Sequence, residues 1–324
     1  MNVRSTILLI GLFSFLTFCH AEQKLTYTDR SLPTLWKGLS GQVGALNIYV
    51  DTPAHTWDAK QKALWQKKTN IALGWLEDQA KIDTIDLTFK TRHFHVEISK
   101  FSIKKDYYPD NQSGWFEEVI QKLGYKDHKS LIEAYQKKLN ASSVAVFVHV
   151  PAVFISHTTF LPLVSIISLK QPPFFKEDYL TRACTFAHEL LHQYGAWHTV
   201  GPKLEIMAPG QGQKNINDNF IGVEIGEQLG WKVKNPIAWK AWDEFIHELA
   251  KHQKHDEALT EVQKALKMNP TFKKGHFWYD LGNIYYLKKE YSKALEAYNK
   301  ALTLDPRNPE ILKSKDSVEK LNSY

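Results

Sequence analysis

Residues 188–198 read HELLHQYGAWH. His188 and His192 are four apart, so a helix places both imidazoles on one face, one turn apart, where a single cation can take a nitrogen from each. The preceding residues 178–187, DYLTRACTFA, suit that helix and leave Leu180, Cys184 and Phe186 available to a core. Glu189 is rotated by about 100° around the helix axis from its neighbour. It can reach a water on the cation without being a ligand. Gly195, three residues past His192, can take a positive φ and end the helix sharply. The chain can then turn back and present His198 as a third ligand. Three neutral imidazoles and a water make a tetrahedral zinc site with one open position. Residues 204–210, LEIMAPG, supply a second element. Met207 in a tight turn, with Pro209 two residues on, forms an apolar floor for the three imidazoles.

Together, HExxHxxGxxH and the downstream methionine turn resemble the metzincin zinc metalloproteases. The resemblance covers residues 180–230 at motif level. It implies an α+β, zincin-like catalytic domain. It gives Glu189 the role of general base, His188, His192 and His198 that of ligands to one catalytic Zn2+, and Met207 that of the supporting turn. The implied activity is hydrolysis of peptide bonds in a peptide or protein substrate by a water that Glu189 activates. There are two departures. Thr199 follows the third histidine and points to no one subfamily. Pro209 stands where some subfamilies place a zinc-contacting tyrosine. No cysteine is placed to block the zinc, because Cys184 falls inside the helix and reads as core. GEQLGW (226–231) reads as closing a helix behind the turn.

Working outward, residues 47–51 (NIYVD) form a short β-rich run. Residues 56–82 read as a long amphipathic helix whose inner stripe is Ala63, Leu64, Ile71, Trp75 and Leu76. Residues 84–98 alternate as a strand. Residues 113–139 read as helix, possible to break in two at Gly124. SVAVFVHV (143–150) is a continuous apolar run, as in a buried strand. Residues 153–169 hold a further strand or two, among them the edge expected to pair with an extended substrate. Strand, long helix, strands, then the histidine helix, make an α+β or α/β domain. His93 and His95 read as an exposed pair. Tyr107, Tyr108 and Trp115 read as packing residues rather than a substrate cleft. Asn111 and Asn140 stand in glycosylation patterns, which matter only in a eukaryotic secretory pathway.

From residue 236 the texture changes to Lys, Ala, Leu and Tyr at helical spacing. Trp242, Ala258, Ala265 and Pro270 recur 36 residues on as Trp278, Ala294, Ala301 and Pro306. The second copy, WYDLGNIYYLKKEYSKALEAYNKALTLDP, resembles a tetratricopeptide repeat (TPR) at Trp278, Leu281, Gly282, Tyr285, Ala294, Tyr298, Ala301 and Pro306. The first copy departs from it, with Phe245 and Ile246 in place of Leu-Gly. The resemblance implies an all-α TPR module over 236–324, with repeats at about 239–272 and 275–308 and a capping helix. Its groove is expected to recruit a protein partner or substrate.

Residues 1–21 carry Arg4 and then an apolar run from Ile7 to Phe18, ending Cys19-His20-Ala21. That is the pattern of an export signal, with the mature chain from Glu22 and residues 22–235 as the peptidase domain. The expected location is therefore secreted or periplasmic. Membrane attachment enters only if the leader is retained or Cys19 is lipidated, and Phe18 is bulky for a lipidation signal. The chain has 324 residues and two cysteines, so no disulfide framework holds it. Its net charge of +6 comes from interleaved basic and acidic residues. No block of like charge argues for nucleic acid. Two other readings stand beside the endopeptidase. One is a catalytically silent zinc-binding TPR interaction protein; the other is a peptidase of narrow scope, acting on one partner or a cell-wall peptide.

Overall fold

The computed structural model describes residues 38–103, 114–153, 156–160, 163–170, 183–196, 198, 202, 205–207 and 215–322. The leader, Glu22, Tyr107, Tyr108, Asn111, Leu180, Thr199 and Pro209 lie outside the described residues.

The first part is built on a five-stranded sheet in the order β2-β1-β3-β5-β4. Its strands are β1 (Gly41–Asp51), β2 (Leu87–Glu97), β3 (Ser143–Val153), β4 (His157–Phe160) and β5 (Leu163–Lys170). The pairs β1–β2, β1–β3 and β3–β5 are parallel, and β4 runs antiparallel to β5. The connection from β3 to β5 runs through β4, while β1, β2 and β3 are joined by helical crossovers. These are α1 (Ala59–Ile82), between β1 and β2, and α2 (Trp115–Lys122) with α3 (His128–Leu139), between β2 and β3. The central strands are buried over Val43–Val50 and Val144–Val150, which explains the unbroken apolar run in β3. Gly124 has a φ of 85° and separates α2 from α3.

Helix α1 starts at a capping box of Asp58 and Gln61. Its buried stripe matches the expected one at Trp75 and Leu76 only. Ala63, Leu64 and Ile71 are exposed, and the inner face is Trp65, Thr69, Ala72, Leu73, Trp75, Leu76, Gln79 and Ala80. The indoles decide the rotation. Trp65 packs against Trp57 at 5.9 Å and Phe186 at 6.5 Å between ring centroids. At 100° per residue, turning Trp65 and Leu76 inward carries Leu64 and Ile71 out.

Helix α4 (Ala183–Gln193) packs on α1 and on the β4–β5 end of the sheet. A short helix α5 (Val223–Gln228) leads into five longer helices. These are α6 (Pro236–Lys251), α7 (His255–Met268), α8 (His276–Leu287), α9 (Tyr291–Leu304) and α10 (Pro309–Asn322). Asn235 caps α6 through its side chain, with proline at the first turn. The molecule is thus an α+β region followed by a helical region. Among the described residues no helix is long and apolar enough to cross a membrane.

Successive helices in the second part pack through small residues. Ala258, Ala265, Ala294 and Ala301 are fully buried. At Gly282 a Cβ would stand 2.4 Å from the Tyr298 ring, so only glycine lets α8 and α9 close to this distance. The equivalent residues 36 earlier are Ile246 and Val262, both fully buried. The first repeat therefore replaces a glycine–tyrosine pair by two mid-sized aliphatics, which explains its departure from the TPR pattern. Packing does not stop at residue 235. Phe220, Val223 and Val233 join Trp239, Trp242 and Ile246 in one buried cluster.

Candidate metal centre

Helix α4 and the turn after it bring His188, His192 and His198 together, with one ring nitrogen from each inside a group spanning 4.8 Å. The helix ends in a Schellman motif. Ala196 N–H donates to Leu191 O at 3.1 Å, Gly195 N–H to His192 O at 3.1 Å, and Gly195 has a φ of 87°. A side chain with a Cβ is strained in that conformation. The reversal returns the chain so that His198 Nε2 lies 3.0 Å from His188 Nε2.

Two backbone carbonyls fix the rings. His188 Nδ1 is 2.9 Å from Ile206 O, and His192 Nδ1 is 2.8 Å from Ala196 O. A carbonyl only accepts, so each Nδ1 carries the hydrogen and each Nε2 presents a lone pair. Burial, then the nearby His198 ring, pushes the His188 pKa down to about 3. Burial, with His188 and His198 next, pushes His192 well below its usual value. Both are therefore neutral near pH 7, the form that ligates a metal.

Zinc at 2.0–2.1 Å from each nitrogen sets tetrahedral ligand atoms roughly 3.3 Å apart. The 3.0 Å between His188 and His198 and the fixed tautomers fit that requirement. His198 is exposed while His188 and His192 are half-buried, so the cluster faces solvent on one side. Met207 is fully buried, directly after Ile206, whose carbonyl holds His188. Ile206 N–H in turn donates to Phe220 O at 3.1 Å, which pins the turn.

Glu189 also meets the sheet through its carboxylate. It is 6% exposed, and its Oε2 is 2.8 Å from Thr158 Oγ1 on β4. Thr158 Oγ1 also lies 2.8 Å from Glu189 O, and Ser165 Oγ donates to the same carbonyl at 2.9 Å. With Ser165 serving the carbonyl, the single Thr158 proton is available to the carboxylate.

Gln193, the last residue of α4, spans from helix to sheet. Its Oε1 accepts from Val146 N–H at 3.0 Å, and its Nε2 donates to Val146 O at 3.0 Å and Ser165 Oγ at 2.6 Å. The β3–β5 ladder begins only at Phe147, so the Gln193 amide takes the place of a missing strand residue. Thr158, Ser165 and Gln193 escape the sequence reading. The one available signal is hydroxyls inside otherwise apolar strands, as in LVSIISLK.

Other candidates are placed as follows. Cys184 is a buried thiol, with Asn219 Nδ2 at 3.5 Å from its sulfur. Trp115 is buried against Phe101 and Phe116. His95 is exposed and binds Asp51 at 2.8 Å; His93 stacks on Tyr49. The edge strand beside α4 is β4.

Comparison with known proteins falls on the second part of the chain. Residues 277–308 match the tetratricopeptide repeat family. The chain is similar to Hsp70-Hsp90 organizing protein 1 of Glycine max, 34% identical over 114 residues, which is 31% of this chain and 20% of that protein. It is similar to Hsp70-Hsp90 organizing protein of Triticum aestivum, 37% identical over 67 residues, 20% of this chain and 11% of that protein. Tetratricopeptide repeat protein 6 of Homo sapiens is 34% identical over 67 residues, 21% of this chain and 12% of that protein. The match spans a fifth or less of each of these relatives.

Proposed function

We propose that the chain is a zinc-dependent endopeptidase whose C-terminal repeats hold a protein partner or substrate. The observation that carries this reading is the convergence of His188, His192 and His198, with the Nδ1 atoms of His188 and His192 fixed by backbone carbonyls. A zinc ion on these three nitrogens supplies Lewis acidity and brings the pKa of its water to about 7. Glu189 takes the proton of the attacking water and delivers it to the leaving amine. The Thr158 hydroxyl holds the carboxylate in one rotamer. An extended peptide would add to the free side of β4, the edge next to α4. The expected setting is outside the cytoplasm, following the leader.

A second reading has its own support. The repeat match and the likeness to TPR proteins favour an interaction protein whose zinc site is catalytically silent. The burial of Glu189 against Thr158 suits that reading too. A trap separates the two. Full-length Glu189→Ala, used to capture partners, is compared with the wild type. The peptidase reading expects a partner that stays whole on the variant and is cut by the wild type. Capture of the same uncut partner by both proteins contradicts it and supports the silent reading.

A further inference from the structure

The helical region holds a second group of metal-ligating side chains, remote from the HExxH motif in sequence. Asp243 and His247 lie one turn apart on α6. His276 and Asp280 lie one turn apart on α8. The four offer one ligand atom each, all within 4.8 Å of one another. We propose that they form a closed, structural site for a divalent transition metal such as zinc, clamping the first helices of the two repeats together.

Four imidazole–carboxylate distances lie near the edge length of a tetrahedral site. His247 Nε2 is 3.0 Å from Asp280 Oδ1 and 3.8 Å from Asp243 Oδ1. His276 Nε2 is 3.1 Å from Asp243 Oδ1 and 3.6 Å from Asp280 Oδ2. Bonds of 2.0–2.2 Å set such atoms roughly 3.3–3.5 Å apart, so small rotations bring all four onto one ion.

An independent observation points to a ligand. Asp280 is 2% exposed, and its Oδ2 accepts no hydrogen bond. A buried carboxylate oxygen without a hydrogen bond costs on the order of 1–3 kcal/mol. A cation between the helices removes that cost. Charge also balances: two carboxylates, both buried, and two neutral imidazoles neutralise a divalent ion. Lys273 Nζ reaches Asp243 at Oδ2, 3.3 Å, and leaves Oδ1 for the ion. Four protein ligands with no open position mark a structural rather than catalytic site. Nothing in the TPR resemblance calls for these residues. The positions 36 away from them are Tyr279, Asn283, Lys240 and Glu244.

The test uses the full chain with the first site removed, His188→Ala/His192→Ala, so it does not depend on the peptidase reading. The protein is stripped with chelator and titrated with Co2+. One equivalent is expected, with the strong visible absorption of a four-coordinate ion. Adding His247→Ala, at a largely exposed side chain that leaves no cavity, or the isosteric Asp280→Asn, should weaken binding by more than the roughly 10–100-fold that a lost outer-shell partner costs. Circular dichroism checks that each variant is folded. A folded His188→Ala/His192→Ala protein that binds no Co2+, or that binds it equally with and without His247, overturns the proposal.

Discussion

Glu189 shows how one residue can be legible in its type and illegible in its setting. Its place after His188 marks it as a candidate base, but nothing in the spacing shows that its carboxylate meets Thr158, thirty-one residues earlier in the chain. That contact exists because β4 folds back antiparallel on β5 at the sheet edge. If the hydroxyl positions the base, Thr158→Val keeps zinc content and lowers kcat about tenfold or more, with little change in KM; equal kcat in the two proteins counts against it. Gln193 belongs to the same scale. Gln193→Ala leaves Val146 N–H and C=O buried without partners. The expected loss is about 2–4 kcal/mol, read from urea unfolding.

Elements were legible where their period is strong. The sequence shows the helices of the repeats, the break at Gly124 and the buried β3 run through periodicity and apolar continuity. It misplaces the face of α1, because Ala63, Leu64 and Ile71 also fit a helical stripe. Only the partners of Trp65, which are Trp57 and Phe186, decide the rotation. The first repeat was dim for a related reason: Ile246 and Val262 fill the volume that Gly282 and Tyr298 fill in the second. Gly282→Ala should therefore destabilise the chain by about 1–3 kcal/mol through overpacking against the Tyr298 ring. Gly282→Ala combined with Tyr298→Val should recover part of that loss. An unaltered melting temperature in the single variant would mean that α8 and α9 are further apart than described.

The order of strands and the joining of the two parts lie beyond one-dimensional patterns, since they depend on contacts between distant segments. The Asp243–His247–His276–Asp280 group is invisible for the same reason: its two halves lie on separate helices, α6 and α8, and meet only when the helices stack. Buried histidines set a pH response for the whole fold. Burial pushes His149 down to about 3 and His128 down to about 4. His149 Nε2–H donates to Asn47 Oδ1, and its Nδ1 is buried without a partner. The unfolded chain takes up these protons near pH 6.5 and the folded chain does not until about pH 4 or below. Stability from both groups is thus present above pH 6.5 and lost as pH falls from there towards 4. Comparing the wild type with His128→Asn at about pH 7 and pH 5 isolates one group, since other titrations cancel in the difference. The variant should lose less stability on acidification; an equal loss contradicts the neutral, buried state.

The central claim is that three histidines hold a zinc ion and that Glu189 does proton chemistry beside it. It is tested most directly by measuring zinc content and the rate of cleavage of a mixed peptide library, with and without chelator, for wild type and Glu189→Ala. The account predicts chelator-sensitive cleavage by the wild type and, in Glu189→Ala, retained zinc at the His188–His192–His198 site with turnover lower by at least about a thousandfold. Cleavage by Glu189→Ala at the wild-type rate, or no cleavage by a zinc-loaded wild type, would contradict it.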